Sequence, residues 1–350
     1  MQGKPTVRWK LLSTAALLAA VAFVAGCSSA ASPAGGGGEP AATKGPQAAA
    51  QGPQAAAEAG RMLTGRCPSP KPVPLAFRRQ GSHVWVELVA EPATLPIAPD
   101  RCYRAWTFDG QVPGPVIRLR QGDLVTFTLV NRDPEMAHSI DFHAARTPWS
   151  VNYQPVLPGQ RLTFTFQAAD PGVFLYHCGV APAIQHLANG MYGAVIVDPK
   201  EGRPPAREFV LVEGEWYRSD DPDALPTQAP VYTVFNGYAD RYLRHPLAAR
   251  PGERVRFYVV NAGPSRFAYF HVIGAIFDRV ETDGNPANLL RGVAGAVIGP
   301  GGAAVFETRF PEAGKYLFVN HAFADAARGA TGEIDVRPQA PAQPLMPMEP

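Results

Sequence analysis

Two segments decide the fold class of this chain. Residues 120–131 read RQGDLVTFTLVN, and residues 250–261 read RPGERVRFYVVN. After a Gly-containing turn, apolar residues alternate with other side chains, which is the pattern of a β-strand with one buried face. Six of the twelve positions are identical across an offset of 130 residues, so the chain contains an internal repeat.

A second pair of segments extends the repeat. PGVFLYHC at 171–178 is similar to AGKYLFVN at 313–320. Short β-branched and aromatic runs punctuated by Gly, Pro and Asn fill the sequence between them, and no long helical pattern competes. We therefore expect an all-β protein with two similar sandwich or barrel domains, at residues 67–202 and 203–337.

The N-terminus has the features of an export signal. A basic start is followed by an apolar run, Leu11–Val24, and by small residues leading into Cys27. This arrangement resembles the lipobox of bacterial lipoproteins, so we expect residues 1–27 to be a signal peptide with Cys27 lipidated. The protein would then be exported and lipid-anchored in the cell envelope.

Two further segments have compositions that cannot bury a core. Residues 28–66 are rich in Ala, Gly and Pro and predict a disordered tether, and residues 338–350 predict a disordered tail. The net charge is +2, with no basic run beyond the signal segment, which argues against nucleic acid as a partner.

The remaining cysteines divide by position. In an oxidising compartment Cys67 and Cys102 are free to pair, and a disulfide between them is possible. Cys178 is left alone among histidines. An unpaired Cys in an exported protein is expected to bind metal or to take part in chemistry.

Metal-ligand residue types are concentrated between His138 and Met191. The set His138, Cys178, His186 and Met191 is the ligand set of a blue-copper electron-transfer site. The second copy of the repeat has Ala268 in place of His138, and Asn320 in place of Cys178. It therefore cannot hold a site of this kind.

Strand parity predicts a second, outward-facing site. Side chains alternate across a strand, so His177 faces away from Cys178, and His143 faces away from His138. Asp141 shares the outer face with His143 and His177. A catalytic metal usually takes three protein ligands and keeps one position open, so a third His is missing.

The missing ligand must come from the second domain, where His271 and His321 are the candidates. Because His177 is bonded to Cys178, the two metals would be connected through one dipeptide. This predicts an electron path from an electron-accepting copper to a catalytic copper.

Together these fragments resemble the copper-containing nitrite reductases, particularly their lipid-anchored branch. The segments that carry the resemblance are HSIDFHAA (138–145), GVFLYHC (172–178), HLANGMYG (186–193), FHVIGAIFD (270–278) and VNH (319–321). The resemblance runs from about Pro72 to Val336. It implies two tandem cupredoxin-like Greek-key β-sandwich domains assembled into a homotrimer.

The resemblance also implies a role for each site residue. The type 1 copper ligands fall on His138, Cys178, His186 and Met191, and the type 2 ligands on His143, His177 and a neighbouring subunit's His321. Asp141 and His271 would handle protons, and Ile273 would shape the substrate pocket. Each chain would hold two coppers and reduce nitrite to nitric oxide, with a cytochrome c or a small cupredoxin as electron donor.

Two departures from the family and three alternative functions bear on this interpretation. Residues 146–154 lack the Gly-rich run usual in the family, and Ile276 stands where some members have His. A laccase-like trinuclear cluster is excluded, because the eight histidines include no His-X-His pair. A non-catalytic envelope electron carrier, or a two-domain copper oxidoreductase with another substrate, remains open.

Overall fold

The computed structural model describes residues 61–348. The predicted signal peptide, Cys27 and most of the predicted tether lie outside this range. Within it, no helix is long and apolar enough to span a membrane.

The first domain contains ten strands and two short helices. In chain order these are β1 (Met62–Thr64), β2 (Ala76–Gln80), β3 (His83–Ala98), β4 (Arg101–Phe108), β5 (Ile117–Arg120), β6 (Leu124–Asn131), β7 (Asp141–Phe142), α1 (Trp149–Asn152), β8 (Arg161–Gln167), β9 (Gly172–His177), α2 (Ala183–Ala188) and β10 (Tyr192–Asp198). One sheet has the order β1-β4-β3-β6-β8, with β2 paired to β3, and the other has the order β5-β10-β9-β7. Val125, Phe127 and Leu129 alternate inward from β6, as the sequence predicts, and pack in the core between the sheets.

The second domain repeats this plan. Its elements are β11 (Arg207–Trp216), β12 (Tyr232–Phe235), α3 (Arg241–Arg244), β13 (His245–Ala249), β14 (Arg254–Asn261), β15 (Ala268–Val272), β16 (Arg279–Thr282), β17 (Leu289–Leu290), β18 (Gly295–Ile298), β19 (Ala303–Arg309), β20 (Gly314–Asn320), α4 (Phe323–Ala326) and β21 (Thr331–Val336). Its sheets have the orders β12-β11-β14-β19-β16-β17 and β13-β21-β20-β15-β18.

The strand pairings of the two domains correspond. The parallel pair β3–β6 is matched by β11–β14, and the antiparallel pair β9–β10 by β20–β21. The strands β6 and β14 are offset by the 130 residues of the sequence repeat. The all-β prediction and the duplication are confirmed. A further apolar cluster combines side chains of both domains, including Leu175 and Tyr192 with Val212 and Trp216.

The structure differs from the predicted ends of the folded part. Met62–Thr64 lies in the predicted tether, but pairs with β4 as an antiparallel strand. A disulfide joins Cys67 to Cys102 of β4, with their Cα atoms 5.5 Å apart. This bond fastens the chain directly after β1 to the first sheet.

The prediction of a disordered tail is wrong for residues 338–348. The backbone N–H of Val210 donates to the carbonyl of Leu345 at 2.8 Å. The N–H of Ala248 donates to Oε1 of Gln343 at 2.7 Å, and the Tyr242 hydroxyl donates to the carbonyl of Pro347 at 2.9 Å. The tail is held because its polar groups satisfy donors of the second domain.

Candidate metal centres

A buried cluster of ligand atoms lies at one end of the first domain. Cys178 follows β9, His186 lies in α2, and His138 precedes β7. The Nδ1 atoms of His138 and His186 lie 3.9 and 3.3 Å from Sγ of Cys178. These three side chains and Met191 are all at most 1 % exposed.

The backbone holds this cluster together. The N–H of Cys178 donates to the carbonyl of Met191 at 3.0 Å, and the N–H of Met191 donates to the carbonyl of His186 at 3.1 Å. The N–H of Ser139 donates to Sγ of Cys178 at 3.2 Å. The loop that returns from Cys178 to β10 therefore brings all four predicted residues of the first site into one region of the domain.

Asp133 fixes the orientation of one imidazole. Its Oδ2 lies 3.0 Å from Nε2 of His138. A carboxylate accepts a hydrogen bond, so Nε2 carries the proton and Nδ1 presents its lone pair towards Cys178. Burial opposes ionisation of Asp133, but hydrogen bonds from His138 and from the N–H groups of Glu135 and Met136 hold the pKa of Asp133 below its usual value.

Burial disfavours the charged forms of Cys178 and His186. It raises the pKa of the Cys178 thiol to about 11, against weaker opposing hydrogen bonds, and it lowers the pKa of His186 to about 3. A buried thiolate therefore requires a compensating cation. A soft sulfur donor beside two imidazoles fits such a metal ion.

Sequence reasoning missed the aromatic wall of this site. The Trp106 ring lies 4.8 Å from the ring of His186 and 5.7 Å from that of His138, between centroids. The Arg61 guanidinium lies 4.2 Å from the centroid of the Trp106 ring. Trp106 lies on β4, far from the ligands in sequence. The sequence offers no signal for this contact.

A second cluster lies on the outer side of the same strands. Asp141 of β7 pairs with His177 of β9, and His143 follows one residue after β7. The Nε2 atoms of His143 and His177 lie 3.2 Å apart, and Oδ2 of Asp141 lies 3.7 Å from Nε2 of His177. The predicted parity therefore agrees with the structure: Cys178 is buried, while these three residues are accessible.

The lone pair of His177 points into this cluster. Its Nδ1 lies 2.9 Å from the carbonyl oxygen of Cys178, which can only accept, so Nδ1 carries the proton and Nε2 of the neutral ring is free to bind a metal. Burial, reinforced by the charge of His177, lowers the pKa of His143. The lowered pKa keeps the His143 ring neutral, as a metal ligand must be.

The two candidate histidines of the second domain form a group of their own. The rings of His271 and His321 lie 5.6 Å apart between centroids. Nδ1 of His271 donates to the carbonyl of Ala294 at 2.6 Å, and the N–H of His321 donates to the carbonyl of Tyr269 at 2.8 Å. Ile273, one residue beyond β15, is 47 % exposed.

One chain does not bring all the predicted ligands of the second site together. Among residues 61–348, two groups of three potential ligands lie within 4.8 Å of one another, and they are the two clusters described above. Neither includes His271 or His321. Asp141 and His271 nevertheless occupy equivalent places, because Asp141 pairs with His177 of β9 and His271 with Val319 of β20.

Comparison with known proteins identifies the family. A family model described as multicopper oxidase matches residues 93–202. A copper-containing nitrite reductase of Neisseria meningitidis serogroup B is 37% identical over 283 residues, which cover 77% of this chain and 72% of that protein. This chain belongs to the copper-containing nitrite reductases. The predicted family is confirmed.

Other relatives agree. The copper-containing nitrite reductase of Neisseria gonorrhoeae is 39% identical over 67% of this chain, which spans 63% of that relative's length. The solved copper nitrite reductase of Nitrosomonas europaea superposes with a TM-score of 0.72 and 42% identity, over 74% of this chain and 95% of that one. The two-domain cupredoxin fold expected from the sequence is thereby confirmed.

Proposed function

We propose that this protein reduces nitrite to nitric oxide, consuming one electron and two protons per nitrite and releasing one water. The observation that best supports this function is the peptide bond between His177 and Cys178. It joins a buried sulfur–imidazole cluster to an accessible imidazole–carboxylate cluster. An electron carrier needs only the first cluster. An enzyme also needs a site that substrate can reach.

The two clusters divide the metal chemistry. His138, Cys178, His186 and Met191 would hold a type 1 copper, and His143 and His177 would hold a type 2 copper, giving two coppers per chain. A copper held by the first group would supply one-electron redox chemistry, and a copper held by the second would supply Lewis acidity towards nitrite.

Residues of the chain provide the path for the electron. Cys178 and His177 are consecutive residues, so the path between the two clusters runs almost entirely through covalent bonds. The hydrogen bond from His177 Nδ1 to the Cys178 carbonyl closes a second, shorter connection within the same dipeptide. An electron entering near His138 or His186 would leave through His177.

Protons require separate groups. Asp141 lies 3.7 Å from His177 Nε2 and is partly exposed, so its carboxyl group can exchange protons with water beside the substrate position. His271 donates through Nδ1, which leaves Nε2 to accept and deliver a proton. Together they would supply the two protons that convert one nitrite oxygen into water. Ile273 would border the same pocket.

The separation of the half-sites supports a homotrimer. His143 and His177 supply two ligands, and His321 lies in the second domain outside their cluster. In a cyclic trimer the second domain of one subunit can face the first domain of the next, so that His321 completes each site. Nitrite is the substrate, and a cytochrome c or a small cupredoxin is the proposed donor.

The N-terminal sequence supports a proposal for the location of the protein. Lipidated Cys27 would anchor the exported chain in the cell envelope, on the periplasmic or extracytoplasmic face of a membrane. The Cys67–Cys102 disulfide agrees with an oxidising compartment.

The test is anaerobic. Full-length mature protein loaded with copper should contain about two coppers per chain by metal analysis. With a reduced one-electron donor and nitrite it should release nitric oxide. One copper per chain and no nitric oxide would instead identify an electron carrier. Two coppers without nitric oxide would indicate another substrate. The atypical segment 146–154, in which Trp149 is 74 % exposed, would then be the first candidate for recognising that substrate.

A further inference from the structure

The second domain retains the outline of a metal pocket without its ligands. The N–H of Asn320 donates to the carbonyl of Ala330 at 3.0 Å, as that of Cys178 does to Met191. The N–H of Ala330 donates to the carbonyl of Asp325 at 3.2 Å, as that of Met191 does to His186 at 3.1 Å. We call the set Ala268, Asn320, Asp325 and Ala330 the vestigial pocket, because its members stand where His138, Cys178, His186 and Met191 stand in the first domain.

Carboxylates from β11 fill this pocket. In the first domain Asp133 accepts the N–H groups of Glu135 and Met136. Gly263 stands 130 residues later, and a Cβ there would collide with Glu215. Oε1 of Glu215 accepts the N–H of Ser265 at 3.3 Å and of Arg266 at 2.8 Å. From strand β11, Glu215 therefore accepts backbone N–H groups as Asp133 does from the loop after β6.

Glu213, two residues earlier on β11, contacts Asn320. Nδ2 of Asn320 donates to Oε1 of Glu213 at 2.8 Å, and both side chains are at most 2 % exposed. An Asn amide buried here needs this acceptor, since a buried donor without a partner is costly. The Asn320 side chain is thus held in one orientation.

In that orientation Asn320 Oδ1 faces two backbone N–H groups, one on the neighbouring strand β15 and one on the residue after His321. Oδ1 accepts the N–H of Tyr269 at 3.1 Å and the N–H of Ala322 at 3.0 Å. The carbonyl of Tyr269 in turn accepts the N–H of His321. Three hydrogen bonds therefore tie the residue before His321, the residue after it and the neighbouring strand β15 into one unit.

We propose that Asn320 and Glu213 are positioning residues for His321, the metal ligand that the second domain contributes. The inference rests on the proposed function, because it assumes that His321 binds the type 2 copper. The vestigial pocket would thus act on the second metal site through the one peptide bond between Asn320 and His321. Both side chains are buried, so they would act through the backbone of His321.

The test compares full-length, copper-loaded variants. Glu213→Met keeps the side-chain length but removes the acceptor, whereas Glu213→Gln keeps an acceptor for Asn320. Thr233→Val is the matched control, because Thr233 donates to Asp325 at 3.2 Å in the same pocket without bonding Asn320. Copper affinity is measured by competition with a chelator. The visible thiolate band reports the first copper, and electron paramagnetic resonance reports the second.

We expect Glu213→Met to weaken binding of the second copper by about 10- to 100-fold and to alter its resonance parameters, with the thiolate band unchanged. Glu213→Gln and Thr233→Val should bind it like the wild type. Equal losses in Glu213→Met and Thr233→Val, or no loss in either, would overturn the inference. Should Glu213→Met fail to fold, Asn320→Ala is used with the same expectations.

His321→Ala separates the two levels of the proposal. If it retains the second copper, the ligand assignment in the proposed function is wrong. If it loses that copper while Glu213→Met retains it at wild-type affinity, only the positioning role is wrong.

Discussion

The Nε2 atoms of His143 and His177 lie 3.2 Å apart on the accessible side of the first domain. Since His177 Nδ1 is committed to a carbonyl, its Nε2 lone pair faces the ring of His143. Two neutral imidazoles facing each other at this distance can be joined by one shared cation. The geometry fits two ligands of the proposed second metal site, so the remaining ligand would have to come from elsewhere.

Subunit mixing tests where the third ligand comes from. Chains with His143→Ala lack a first-domain ligand, and chains with His321→Ala lack the second-domain ligand, so each alone should form no nitric oxide. Co-expressed and assembled at random, they should rebuild about a quarter of the sites, because one interface in four joins two intact halves. The rate of nitric oxide formation by the purified mixture measures this.

The control for subunit mixing is a pair of variants with damage in the same half. His143→Ala mixed with His177→Ala leaves every first domain defective and should recover nothing. If the mixture of His143→Ala and His321→Ala chains also recovers no nitric oxide formation, the catalytic site does not span two subunits.

Cys178→Ala should separate the two coppers. The visible thiolate-to-copper absorption should disappear, because no other thiol lies in the buried cluster, while the second copper should remain at wild-type occupancy. Nitric oxide formation from an external donor should fall with the loss of the relay. A visible band of wild-type intensity in this variant would show that the sulfur ligand has been wrongly assigned.

Asp141→Asn tests the proton role at nearly constant shape. The carboxamide cannot deliver a proton, so we expect the turnover rate to fall by about 10²- to 10⁴-fold with copper content unchanged. A turnover rate equal to that of the wild type would remove Asp141 from the proposed mechanism.

The buried Glu213 predicts a pH-dependent stability. Burial raises the pKa of Glu213 from its usual 4.5 to about 8, so between these values the folded chain binds more protons than the unfolded chain. The stability contributed by this group is complete below pH 4.5 and is lost as pH rises through 8. The slope is at most about 1.4 kcal/mol per pH unit.

Glu213→Gln removes this dependence. In the metal-free protein its unfolding temperature, relative to the wild type, should therefore increase from pH 5 to pH 8. Thr233→Val provides the comparison, because it removes a buried hydrogen bond in the same pocket but keeps Glu213, and so should retain the fall in stability that Glu213 causes. A parallel course for Glu213→Gln and the wild type would mean that Glu213 is ionised in the folded protein.

The sequence predicted the all-β fold, and the opposite faces on which Cys178 and His177 lie, for a physical reason. Alternation along a strand depends only on local geometry, so the parity of Cys178 and His177 could be deduced without coordinates. The repeat then indicated which residues the second domain had lost. The first deduction uses residues that are neighbours in the sequence, and the second uses the fixed offset between the two copies of the repeat.

Contacts between distant strands could not be predicted in this way. Trp106 meets the two histidines of the buried cluster from β4, and Glu215 reaches the place of Asp133 from β11. No spacing rule connects such positions. Asp133 itself lies only five residues before His138, and an acidic residue so close to a candidate ligand was a signal that could have been used.

The tail was misjudged because its Pro-rich composition contains no strand or helix pattern. Its attachment depends on carbonyls and on one Gln side chain that meet donors of Val210, Tyr242 and Ala248. Any residue type provides a backbone carbonyl, so composition does not reveal this kind of contact.

The attached tail limits how the protein can be engineered. A truncated chain ending at Val336, where the last strand ends, would leave the N–H groups of Val210 and Ala248 without their acceptors in the second domain, and would remove Ala340, which is only 6 % exposed. Shortening the C-terminus is therefore a change to the domain that holds His271 and His321. Affinity tags and fusion partners belong after Met348, beyond the last of these contacts.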